Sequence, residues 1–183
     1  MSNQNSHPER MSRSPERSER EASTPDVPGH ISGEGSQQPL RLTPVVSCFL
    51  MRWDMQPEPR LLIVQRSQRV GSYHGHWAAI SGFIEQGVTP EDQAYTEIRE
   101  ETSLQRQQVR LLKRGAVVEY SDAAIGRHWS IHPFLFEVLT PDAIHTDWEA
   151  QQMRWIRPSE LSNYETVPLL AEAYASAEHG ENT

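Results

Sequence analysis

The chain has 183 residues and a formal charge of −8: enough length for one well-filled core, and an acidic balance that excludes holding nucleic acid by bulk phosphate attraction. Cys48 is its single cysteine, which excludes an intrachain disulfide and fits a reducing, cytoplasmic setting. No apolar stretch reaches bilayer-spanning length, and the N-terminus lacks the apolar core of a secretion signal, so neither membrane association nor export is expected.

Residues 1–40 are Ser, Pro, Arg, Glu and Gly with scattered single apolar residues, too few to offset the entropy of ordering them. They read as a disordered tail, and the mixed-sign run 13–20 reads as a solvated segment rather than a nucleic-acid arm. A single folded domain is expected over 41–177, with 178–183 as a flexible C-terminal end. Its first strand is the β-branched and apolar run 45–50, followed by a loop at 54–59 and the apolar run 61–64 as the second strand of a hairpin. A third short apolar run covers 77–80. Between Thr89 and Thr102 the pattern becomes helical: Thr89 can cap, Pro90 suits the first turn, and Glu91 and Asp92 complement the positive helix start. Strands are expected over 109–120, 132–139 and 153–156, and a closing helix over 167–177.

The helix at 89–102 carries the chemistry. Successive residues turn by roughly 100°, so Glu97, Glu100 and Glu101 share one face beside the stripe of Ala94 and Ile98. Glu97 and Glu101 are like charges four residues apart, which weakens an isolated helix by roughly 0.2–0.5 kcal/mol unless a cation compensates. Arg99 points elsewhere on the helix, so a hard divalent cation, Mg2+ or Mn2+, is the economical partner. For a lone Glu-x-x-Glu-Glu, a solvated acidic face is the better explanation. What argues against it is the loop that runs into this helix between Gly82 and Gly87, where glycines let backbone approach phosphate and the free N–H groups of the helix start favour an anion.

The segment from Gly82 to Leu104 resembles the Nudix box, Gly-x(5)-Glu-x(7)-Arg-Glu-U-x-Glu-Glu-x-Gly-U with U bulky and apolar. Gly82, Glu97, Ile98, Glu100, Glu101 and Leu104 match it without a gap. Val88 stands in place of the first Glu, Thr96 in place of the Arg and Ser103 in place of the last Gly. Outside the box, Trp77 with Ser81 and Gly82 looks like the strand entering the loop, and 153–161 looks like the family's late strand and following turn. The likeness spans roughly 42–177, and the Nudix domains attached to isomerases related to translation initiation factor 2B are its nearest echo. By this resemblance the protein is an α/β fold, a Nudix α/β/α sandwich with a mixed sheet, and a hydrolase of a nucleoside diphosphate derivative or related small diphosphate compound. The metal-binding groups implied are Glu97 and Glu101 with the Ser81 carbonyl, and Glu100 for a second ion or shared water. The general base comes from the box or from Glu149, ahead of Trp155, where some members carry a late catalytic Glu. Apart from the resemblance, Gly82 and Gly87 are candidate substrate contacts by the backbone chemistry of their loop, Arg127 is one because a guanidinium suits phosphate though it sits in no specific motif, and a homodimer is possible.

Val88 and Thr96 replace two opposite charges that support each other, and removing both is milder for stability than removing one. The cost falls on catalysis, because Glu97 must then be held by something else or less firmly. A second reading is therefore a catalytically weak or inactive Nudix-like module that binds a nucleotide or a protein. A third makes the Arg-Ser-Glu tail the functional element. His74, His76, His128, Trp77 and Trp129 form no specific motif and are assigned no catalytic role.

Overall fold

The computed structural model describes residues 39–53 and 58–183; the expected tail up to residue 38, and loop positions 54–57, lie outside them. Strand β1 (Arg41–Arg52) is buried without interruption from Val46 to Met51, as befits a strand covered on both faces. Val46, Cys48 and Leu50 join one apolar cluster, whereas Phe49 and Met51 join another, following the two-residue period of a strand. Strand β2 (Arg60–Arg66) divides the same way, Leu62 and Val64 going to the first cluster and Leu61 and Ile63 to the second.

The run expected at 77–80 is two short strands, β3 (Trp77–Ala78) and β4 (Ile80–Phe83). The reason lies in what they pair with. Strands β1 and β2 pair only at Met51–Leu61 and Arg52–Arg60, then diverge; β3 completes β2 while β4 completes β1. Helix α1 (Pro90–Thr102) matches the expected 89–102 segment, with Thr89 accepting from the Asp92 N–H at 3.1 Å and Glu91 and Asp92 in its first turn. Its Ala94 and Ile98 cover the first cluster.

The strand expected over 109–120 is broken into β5 (Val109–Arg114) and β6 (Val118–Asp122). Gly115 causes the break: its N–H turns to the Pro133 carbonyl at 2.9 Å, and a Cβ there would lie 2.7 Å from the backbone at Ser176 and Ala177. Strand β7 (Arg127–Val138) starts before the expected 132, because Gly126, at a φ of 66°, turns the chain so that Arg127–Ile131 pair back on β6. Strand β8 (Ala150–Ile156) extends the expected 153–156 along β2. Helix α2 (Leu170–Glu178) begins three residues inside the expected 167, since Leu169 sits at a left-handed φ of 58°. Its Leu170, Ala173, Tyr174 and Ala177 close the second cluster. At the end expected to be flexible, β9 (Glu181–Asn182) instead pairs with Lys113 and Arg114, because β5 offers an open edge there, and the Thr183 hydroxyl donates to the Leu111 carbonyl at 2.9 Å.

Strand β1 runs parallel to β7 while the other paired strands are antiparallel, so the sheet is mixed, in the order β3-β2-β1-β7-β5-β9. With α1 on one face and α2 on the other, the described residues form the α/β/α sandwich expected from the sequence. No described helix is long and apolar enough to cross a membrane.

Candidate active site

Where β1 and β2 part, a cleft of about 650 Å³ opens, lined by residues of β1, β2, β4, α1 and β7 and of the loop before β8. Helix α1 presents Gln93, Glu97 and Glu100 to this cleft. Glu101 sits beneath them, 7% exposed, and accepts a hydrogen bond from the Ser81 N–H at 2.9 Å. The Glu97 carboxylate rests against Gly82 so closely that a Cβ at that position would overlap it, which explains why β4 carries a glycine there. Gln93 is buried between loop and helix: its amide donates to Glu97 Oε1 at 2.8 Å and accepts from the Glu85 N–H at 3.3 Å. Glu100 stands at the exposed rim, paired with Arg99 at 3.1 Å.

The late carboxylate arrives by tertiary contact. The loop 144–149 is tied to the end of α1, where His145 and Asp147 N–H groups donate to the Thr102 and Glu101 carbonyls at 3.0 and 3.3 Å. It is tied to the end of β2 as well, through the Ser67 N–H on the Glu149 carbonyl at 2.7 Å. Those ties put the Glu149 side chain in the cleft.

Crowding of these acids shows in their proton affinities. Burial pushes Glu101 well above the usual carboxylate range, and repulsion from Glu149, Glu97 and Asp147 adds to it against the pull of the Ser81 N–H. Glu97 is raised by burial and by Glu100, Glu149 and Glu85, with the Gln93 amide opposing. Glu149 is raised by burial and Asp147, with Arg66 opposing. Arg66, at the end of β2, feels Glu101 and Glu149 in return, but burial dominates and lowers its pKa. Behind the site, burial first and then Glu101 and Glu97 raise the Cys48 thiol, so it is an inert part of the core.

The chemistry of this donor set fits a hard divalent cation, since oxygen anions that destabilise one another are stabilised together by a positive ion. Yet the expectation of three acids sharing one gripping face is only partly met. Glu97 turns to Gln93, Glu101 to Ser81 and Glu100 to Arg99, and among the described residues no three His, Cys, Asp or Glu side chains stand gathered as a metal cage.

Across the cleft stands a wall of different character. Phe83, 56% exposed, stacks with Trp129 at a ring separation of 6.3 Å and an angle of 17°. The Arg127 guanidinium lies 5.5 Å and 5.3 Å from those two ring centres and donates to the Thr43 hydroxyl at 3.3 Å. Tyr73, at a left-handed φ of 54°, leans on Trp129 and donates to Asp122 at 2.7 Å. Burial, with Asp122 next, raises its hydroxyl pKa to about 12.

Of the candidates named from the sequence, Ser81, Gly82, Glu97, Glu100, Arg127 and Glu149 line the cleft, with Glu101 directly beneath. Gly87 does not line it; its φ of 83° shapes the turn ahead of α1. His74 bonds the Val70 carbonyl, His76 lies 3.4 Å from Glu165, and His128 pairs with Glu119 at 2.9 Å, all away from the cleft wall. Trp77 packs edge-on against Tyr164 beside the second cluster. Arg66, Gln93 and Phe83 were missed. Gln93 was findable as the residue one helical turn before Glu97; an arginine closing an apolar strand and a Phe between two loop residues carry no comparable signal.

The profile of the NUDIX domain matches residues 41–177. No curated protein matches the sequence. Solved structures share the fold at low identity. An Ap4A hydrolase of C. elegans in a binary complex is 16% identical, with 74% of this chain and 95% of that one covered and a TM-score of 0.63. The Nudix hydrolase RenU of M. smegmatis is 17% identical over 72% and 80% of the two chains, with a TM-score of 0.61. The NUDIX domain of Shewanella oneidensis NrtR, complexed with ADP ribose, is 16% identical over 75% and 86%, with a TM-score of 0.57.

Proposed function

The chain belongs to the NUDIX family, and from that premise we propose that it is a metal-dependent hydrolase of a diphosphate linkage in a nucleoside diphosphate derivative or a related compound. The observation that carries this reading is the crowding of Glu97, Glu101 and Glu149 at one cleft, each with a raised proton affinity that the Gln93 amide, the Ser81 N–H and Arg66 respectively oppose without reversing. Glu97 and Glu101, with the Ser81 carbonyl, would hold Mg2+ or Mn2+, and Glu100 a second ion. A divalent ion there supplies Lewis acidity and neutralises the diphosphate. Gly82 leaves room for the Glu97 carboxylate, which lies where a Cβ would stand. Glu149, raised by burial and Asp147, is suited to take a proton from the attacking water as its oxygen bonds to phosphorus and the bridging P–O bond breaks. The Phe83–Trp129–Arg127 wall would take the ring and an anionic group of the substrate. Ap4A and ADP-ribose, named with two of the similar structures, both join an adenine ring to a phosphate chain, which supports that assignment.

The test is a panel of dinucleoside polyphosphates, nucleotide sugars and non-nucleotide diphosphates, incubated with Mg2+, with Mn2+ and with chelator. Metal-dependent release of mononucleotide is expected, with Phe83→Ala raising KM for nucleotides alone. A panel without any product in the presence of metal would sink the hydrolase. One observation favours the second reading, a module that binds without turnover: the three helix carboxylates are each engaged by protein groups rather than gathered. Tight binding of a panel compound with no product is its signature.

A further inference from the structure

We propose that Gln93 is a positioning residue for Glu97, doing by a neutral amide what an arginine at position 96 does in the box that this segment resembles; the inference rests on the metal-site reading above. Four observations converge on it. Gln93 is a polar side chain only 4% exposed, so its amide must be used within the fold. Both ends of that amide are used: the donor end on Glu97 Oε1 at 2.8 Å, the acceptor end on the Glu85 N–H at 3.3 Å. It is the one hydrogen-bond donor that a described side chain offers to Glu97, whose other charged neighbours, Glu100, Glu149 and Glu85, repel it. And Gly82 comes up against the same carboxylate, nearest to Oε1, so the oxygen that Gln93 holds is also the one packed against backbone.

The geometry has a chemical reason. A carboxylate that must face a cation needs one oxygen anchored and the other presented. An arginine anchor would bring a positive charge into the site beside the incoming ion, whereas an amide anchors without competing for charge. Through Glu85 the same amide also fixes the loop between Gly82 and Gly87 against the helix, so carboxylate and loop backbone keep one spacing. Thr96, half-buried one residue before Glu97, makes no side-chain hydrogen bond to it.

The experiment compares the full-length protein with Gln93→Met, which keeps the buried volume and removes both hydrogen bonds, and with Thr96→Ala. Mn2+ alone is titrated and free ion followed by electron paramagnetic resonance; kcat and KM are then measured on the best compound of the panel. Loss of an outer-sphere partner is expected to weaken Mn2+ binding about 10–100-fold in Q93M, with kcat falling in step and KM unchanged within about threefold. T96A should stay within about twofold of the wild type on both readouts. Wild-type Mn2+ affinity and kcat in Q93M overturn the proposal, as does an equal loss in T96A, since a disturbed helix would then be the cause. If Q93M folds poorly, Gln93→Asn, with the amide withdrawn by one methylene, should show the same loss to a smaller degree, and its absence is equally fatal. A wild type that binds Mn2+ but cleaves nothing removes the hydrolase and still leaves the Mn2+ ratio to decide Gln93. One that binds no Mn2+ removes both.

Discussion

The two helices divide the work of the domain. Helix α1 buries Gln93, Glu101 and Thr102 alongside Ala94 and Ile98, whereas α2 buries only Leu170, Ala173, Tyr174 and Ala177 among its inward residues. Their ends differ accordingly. α1 is capped by Thr89 at its start and closed by a left-handed Ser103 whose N–H returns to the Arg99 carbonyl; α2 follows an uncapped, left-handed Leu169. Burying a carboxylate works against folding, so the helix that does it is secured by local hydrogen bonds at both ends. A helix that buries only apolar surface tolerates a poor start because packing holds it. The acids of the candidate site sit on the helix with self-sufficient ends.

The sharpest way to break this division is to exchange the two kinds of loss. Tyr174→Ala, which removes the edge-on contact with Phe49 at 5.4 Å, should cost about 3–5 kcal/mol in denaturant unfolding and leave kcat per folded molecule unchanged. A loss of kcat without a loss of stability would erase the distinction. If Glu101 holds the metal as proposed, Glu101→Gln should do the reverse: activity falls by about a hundredfold or more. The same variant should raise stability when metal is chelated. Glu101 has a folded-state pKa above its unfolded one, so what it contributes is complete below the usual carboxylate range and declines as pH rises through its raised pKa. Melting temperatures with chelator should therefore drop more steeply from pH 5 to 8 in the wild type than in E101Q, and added Mg2+ should lift only the wild type; parallel curves would contradict the placement of that carboxylate. The smallest effect belongs to the end of α1. Ser103→Gly relieves a left-handed φ of 63° and should stabilise by about 1 kcal/mol without changing kcat.

What could be read from the sequence follows the same division. α1 was legible to its ends, because Thr89, Pro90 and the acidic first turn are local signals that need no tertiary information. The core strands were legible as short apolar runs because the sheet is covered on both faces. Arg127–Ile131 were not, since that stretch is only partly apolar and is held as strand by its hairpin with β6, and the break at Gly115 depends on the approach of α2. In the site, the acids on one helix could be placed by helical geometry alone. Arg66 and Phe83 reach the cleft from strands whose orientation only the sheet decides, and Glu149 reaches it through backbone bonds between a loop, α1 and β2. The loop residue Gly87, a candidate phosphate contact by composition, has the positive φ of a turn former.

Gly82 leaves a consequence for the acid it touches. One added methyl at that position enters the space of the Glu97 carboxylate, which must then shift, with every charge in the protein retained. A change at position 82 therefore reaches Glu97 without the loss of any acidic residue.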